Sequence, residues 1–159
     1  MNFTQIDDAP MRPGWGSVWQ GNLVDLSIKN HVPGPLAIVC ANEHIDEPWI
    51  DHRQIHAVLS FRIQEMQPLS DMALMAALDA GVGFLRNGLN LYVHCANGVA
   101  RSTYYVVGLR MRVLGETAEQ AFAHVKAKRP HAVLRPANRD QLMKLEQSGL
   151  IRHDRDKVK

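Results

Sequence analysis

Leu89-Asn90-Leu91-Tyr92-Val93-His94-Cys95-Ala96-Asn97-Gly98-Val99-Ala100-Arg101-Ser102 is the stretch on which the reading of this chain turns. Leu89 to His94 is a compact apolar run bounded by Gly88, the pattern of a buried strand. It breaks off at Cys95 into five small residues, and from Arg101 the run STYYVVGLRMRVL has the length and apolar density of a helix closed by Gly115. In such an arrangement the backbone curls at Gly98, successive N–H groups converge on one point, and the positive end of the following helix adds to their field. An anion with several acceptor oxygens fits that cradle. Arg101 closes it with a planar fork of donors that a lysine does not have. A cysteine at a helix N-terminus beside an arginine has its pKa lowered to about 3.5–7.5, so Cys95 is expected to be a thiolate at neutral pH. Nucleophile and phosphate site then coincide.

Outward from this loop, strands alternate with helices. Leu36 to Ala41 (LAIVCA) and His56 to Ile63 (HAVLSFRI) read as further strands, with a helical turn near Pro48 to Gln54 between them. Ser70 is a plausible N-cap for a helix whose apolar positions are Met72, Leu74, Met75, Leu78, Val82 and Leu85, with Gly88 just past its end. Thr117 and Gln120 form a capping box before a helix that Pro130 stops, and a last helix runs from about Ala137 to Gln147. Residues 1–16, with Pro10, Pro13, Gly14 and Gly16, read as an irregular arm leading into a short edge strand at Ser17 to Gln20. The expected fold is α/β: a small, mostly parallel sheet of four to five strands flanked by helices. The arm (1–16), one domain (17–150) and a charged tail (151–159) complete the organisation.

The 159 residues suit one domain, and 46% hydrophobic content supplies an ordinary core. Eighteen basic residues against 16 acidic ones is too even a balance to imply nucleic acid as partner. No stretch approaches the roughly 18 apolar residues of a membrane span, and the N-terminus lacks a signal-peptide pattern, so a soluble cytoplasmic chain is expected. Two cysteines, Cys40 and Cys95, make no disulfide framework.

The segment HCANGVARS resembles the HCxxGxxRS signature of the protein tyrosine phosphatase superfamily, in particular its compact dual-specificity branch. The resemblance extends over roughly Leu36 to Gln147: Arg129-Pro130, Asn138 and Gln141-Leu142 stand where that family has an Arg-Pro step, an asparagine and a final helix. It implies a dual-specificity phosphatase-like fold and a two-step displacement needing neither metal nor other cofactor. Cys95 would attack phosphorus, the amides of Ala96, Asn97, Gly98, Val99, Ala100 and Arg101 would hold the phosphoryl oxygens, and water would release phosphate. Ser102 matches the family hydroxyl that bonds the cysteine sulfur, and His94 the histidine that shapes the loop from behind; Asn138 is a supporting residue. The substrate would be a phosphorylated protein or a small phosphate ester, with no nucleic acid or membrane partner. The loop's lack of lysine speaks against polyphosphorylated inositides.

The family's general acid is an aspartate on the loop after the strand that here reads HAVLSFRI. Glu65 stands closest to that position and is preferred; Asp71 is the nearest aspartate, although it also suits a helix first turn. Loss of the acid lowers the rate by about 10²–10⁴, which keeps open an alternative: a phosphate-binding module with weak catalysis. A rhodanese-like sulfurtransferase is a third possibility, disfavoured by Gly98 with Arg101-Ser102. Cys40 reads as a buried structural cysteine, with a regulatory disulfide to Cys95 as the competing idea. His52 and His56 have a metal-ligand spacing only if helical. Trp15, Trp19 and Trp49 are expected to pack the arm on the sheet, and Arg135 and Arg139 to be solvated helix-end charges or to line the pocket mouth.

Overall fold

The computed structural model describes residues 3–22, 32–41, 55–64 and 67–152. Five strands form one sheet: β1 (Phe3–Gln5), β2 (Val18–Asn22), β3 (Leu36–Cys40), β4 (Ile55–Ser60) and β5 (Asn90–Cys95), in the order β1-β2-β5-β3-β4. All neighbours run parallel except β1 with β2. The strand carrying Cys95 is therefore central. Its residues Leu91 to Cys95 are all buried, as is the whole of β3, which explains why both read as continuous apolar runs and not as alternating ones.

Four helices are described: α1 (Asp71–Arg86), α2 (Arg101–Leu114), α3 (Ala118–Lys128) and α4 (Pro136–Ser148). All four contribute to one core layer, in which Leu74, Leu78 and Leu85 of α1, Tyr104 to Val107 of α2, Val125 of α3 and Leu142 of α4 meet Val39, Leu91 and Val93 of the sheet. Side chains of this size are each worth about 1.5–3 kcal/mol when buried. The opposite sheet face carries a smaller cluster, Phe3, Val32, Leu36, Ile38 and Tyr92, against Trp19 and Ile55. Helix ends follow the sequence. Ser70 Oγ accepts from the Ala73 amide, Thr117 and Gln120 form a reciprocal capping box, and Gly115 takes the left-handed conformation that closes α2.

Several expectations shift. Residues 3–5 are not irregular: they form the edge strand β1, so β2 lies one position inside the edge. Ile6 and Asp7 continue into buried positions, where Asp7 pairs with Arg110. The strand β4 ends at Ser60, three residues before Ile63, and Met72 is 85% exposed, off the core stripe of α1. The turn expected near Pro48 to Gln54, with Trp49 and His52, falls outside the described residues; His56 is an exposed residue of β4. Among the described residues, no helix is long and apolar enough to cross a membrane.

Candidate active site

The loop 96–100 joins the central strand to the N-terminus of the most deeply buried helix, α2, in which Ser102 to Met111 are all buried. This places the thiol of Cys95, 2% exposed, below the first turn of α2. Cys95 Sγ lies 3.4 Å from Ser102 Oγ, and the backbone N–H groups of Ser102, Val99 and Gly98 add to the pull on its proton. Burial pushes the thiol's pKa up; the Ser102 hydroxyl and the three amides outweigh it, and the net result is a thiol held below its ordinary value.

Gly98 makes the curl possible. Its φ is +65°, and a Cβ there would stand 2.6 Å from the carbonyl carbon and oxygen of Gly21 and 2.7 Å from an Arg129 guanidinium nitrogen. The loop is thus pressed against β2 with no room for a side chain. Its outer side is pinned by Arg129, whose Nε donates to Gly98 O at 2.7 Å while Nη1 donates to Thr4 Oγ1 at 3.0 Å. Val133 N donates to Val99 O at 3.0 Å, adding a tie from the segment after α3.

Above the sulfur opens a cleft of about 120 Å³ lined by Cys95, Asn97, Val99, Ala100, Arg101 and Arg135. Arg101 Nη1 donates to Ile63 O at 3.3 Å, which ties the arginine to the segment following β4. The size and the two guanidinium groups suit a tetrahedral oxyanion.

Comparison with solved structures bears on what this architecture is. The chain matches human DUSP28 with a TM-score of 0.68 at 23% identity, covering 91% of this chain and 97% of that one. It matches Tk-PTP in the active form at 0.72 and 23% identity, over 92% and 97%. The fold is that of the dual-specificity phosphatases. A structure of PTPMT1 in complex with PI(5)P shares it, at a TM-score of 0.69 and 18% identity over 93% and 96% of the two chains. In sequence, 92 residues, 55% of this chain, are 35% identical to dual specificity protein phosphatase 1 of Arabidopsis thaliana. The match takes in 46% of that relative, so this chain spans about half its length. No protein-family model matches the chain.

Within this dual-specificity fold, Cys95, Arg101, Ser102 and the loop residues Ala96 to Ala100 come together as one constellation, and Arg135 joins them. His94 is fully buried, its ring 5.9 Å from that of Tyr92, and Asn138 is buried on α4. Arg139 is directed elsewhere, paired with Glu119 of α3. Asp71 occupies the first turn of α1 and its Oδ1 accepts from Gln141 Nε2 at 2.9 Å; Gln141 also donates to Leu69 O and receives the Tyr104 hydroxyl. Asp71 does not line the cleft. Glu65 lies outside the described residues.

Two residues at this site are not picked out as site residues by sequence reasoning. Arg129 was legible only as half of an Arg-Pro step. Gln20 was not legible at all: it is fully buried on β2, directly beneath the loop, and the one hint was a long amide in a strand whose same-face neighbour is Val18.

Proposed function

We propose that this chain is a phosphomonoester phosphatase of the protein tyrosine/dual-specificity type that works through a phosphocysteine on Cys95. The observation that carries this reading is the Cys95 sulfur, 3.4 Å from the Ser102 hydroxyl and held below its ordinary thiol pKa, in the lining of the same cleft as Arg101. The names of the proteins sharing the fold support a phosphate-ester substrate, on a protein or a small molecule.

In the first step the Cys95 thiolate attacks phosphorus; an S–P bond forms and the P–O bond to the leaving group breaks. Loop amides and Arg101 hold the three equatorial oxygens, where the charge is spread. The departing oxygen takes a proton from a general acid. Glu65 is proposed for this role, because Asp71 is engaged by Gln141 at the start of α1. In the second step water attacks phosphorus and gives a proton to the carboxylate left by the first step, restoring the acid; the S–P bond breaks, phosphate leaves, and the Ser102 hydroxyl stabilises the returning thiolate.

Hydrolysis of an aryl phosphate under reducing conditions, with acid-quench trapping of a phosphorylated Cys95 peptide, tests the reading. Turnover that disappears in Cys95→Ser while phosphate binding persists is the expected result. Well-folded protein that binds phosphate without turnover would instead favour a phosphate-binding module, the reading to which the occupied Asp71 lends support.

A further inference from the structure

Gln20 has no place in the chemistry so far, yet its polar side chain is fully enclosed beneath the loop, with no exposed surface. Its Nε2 sits among three oxygens: Thr103 Oγ1 at 2.8 Å, Ser102 Oγ at 3.0 Å and, more distantly, Gly98 O at 3.4 Å. Its Oε1 accepts no hydrogen bond among the described residues. An orphaned buried carbonyl costs about 1–3 kcal/mol. The orientation is nevertheless dictated by its surroundings. Thr103 spends its one hydroxyl hydrogen on Val99 O, at 2.6 Å, so toward Gln20 it can only accept, and Gly98 O is an acceptor in any case. The atom they surround must be the donor.

The consequence falls on Ser102. Its hydroxyl has one hydrogen, and its oxygen already receives an N–H from Gln20. The hydrogen is left to point at the group 3.4 Å away on the other side, Cys95 Sγ. We propose that Gln20 is a positioning residue: its amide fixes the direction of the Ser102 hydroxyl, so that the hydrogen bond runs from amide to hydroxyl to sulfur. This rests on the phosphatase reading for its purpose, which is to hold the sulfur as nucleophile in the first step and as leaving group in the second.

The test reads the thiol itself. The pH dependence of alkylation of Cys95 by iodoacetamide is measured in a Cys40→Ser background for wild type, Gln20→Met, Ser102→Ala and the double variant. Methionine matches the length of glutamine but neither donates nor fixes the hydroxyl. The other charged groups around the sulfur, Arg101, Arg129 and Arg135, are the same in every variant. Gln20→Met is expected to slow alkylation at pH 6 about three- to tenfold, the worth of one hydrogen bond. In the double variant it is expected to add nothing to Ser102→Ala, because its effect passes through that hydroxyl. A profile unchanged in folded Gln20→Met, or a shift that adds fully to that of Ser102→Ala, overturns the proposal. Should Gln20→Met fail to fold, Gln20→Leu, equally neutral and without an N–H group, takes its place, and the same two outcomes decide. Aryl phosphate turnover by wild type separates the two readings: a coupled shift without turnover leaves the relay standing and removes the phosphatase.

Discussion

Cys40 on β3 lies in register with His94 on β5, one residue short of Cys95. Partners in register on parallel strands share a sheet face, and successive residues alternate faces. Cys40 therefore points with His94, Tyr92 and Ile38, whereas Cys95 points with Val93 and Val39 into the layer under the helices. The regulatory disulfide that the sequence allows would have to pass through the sheet. Peroxide treatment followed by non-reducing peptide mapping should give no Cys40–Cys95 linked peptide, and Cys40→Ser should lose and regain thiol reactivity as wild type does. A linked peptide in folded protein would show that the register is wrong or opens readily.

Gly98 should tolerate no side chain. Gly98→Ala meets the Gly21 backbone and the Arg129 guanidinium at once, and alanine at a φ of +65° adds its own strain. A loss of about 1–3 kcal/mol is expected from backbone strain alone. Because the collision pushes the loop off β2, the larger effect should be on phosphate affinity, read by calorimetry with inorganic phosphate. Unaltered affinity would mean that the loop is not held in this curl.

How much of this was open to reading from the sequence depends on the range of the interaction. The helix α1 was legible because Ser70, Gly88 and the spacing of Leu74, Leu78, Val82 and Leu85 are local signals, and the loop because small residues between a strand and a helix have one economical conformation. Met72 misleads: it lies two residues before Leu74, about 200° around the helix, and faces water. The strand Phe3–Gln5 was hidden because its partners, Gly21 to Trp19, lie beyond a Pro/Gly-rich stretch of chain. Gln20 was hidden for a stronger reason: its meaning comes from hydroxyls 82 and 83 residues further along the chain.

Asp71 is expected to matter for stability and little for chemistry. Its carboxylate binds the Gln141 amide, which also anchors Leu69 and Tyr104, and it sits at the favourable end of the α1 dipole. Asp71→Asn should lower the melting temperature by a few degrees while changing kcat less than about tenfold. Glu65→Gln should instead lower kcat by about 10²–10⁴, most for alkyl phosphates, whose leaving groups need the proton. The reverse pattern would reassign the acid to Asp71.

Arg110 provides a probe of the fold that is remote from the cleft. It is 4% exposed, paired with Asp7 and bound through Nη2 to Glu116 at 2.7 Å and through Nε at 3.0 Å. Nine residues beyond Arg101 on α2, it lies about 13.5 Å along the helix from the site. Arg110→Met leaves Asp7 buried without its main partner and should cost about 3–5 kcal/mol in urea unfolding. The alkylation profile of Cys95 in the remaining folded protein should not move, and if it does, the arm and the site are coupled.

The thiol itself makes stability depend on pH. In the folded chain, hydrogen bonds from Ser102, Val99 and Gly98 overcome burial and hold Cys95 below its ordinary value, whereas in the unfolded chain it titrates near 8.5. Between the two values the unfolded state binds more protons, so stability rises with pH across that window. The contribution is fully present above the unfolded value and is lost as pH falls through the folded one. Cys95→Ala removes the titrating group, so the difference in urea-unfolding free energy between wild type and variant should grow in favour of wild type from pH 6 to pH 9. Cys40 is common to both proteins and cancels. Parallel curves across that range would mean that the sulfur is an ordinary buried thiol, and the cradle of amides beneath the cleft would then have no chemical work to do.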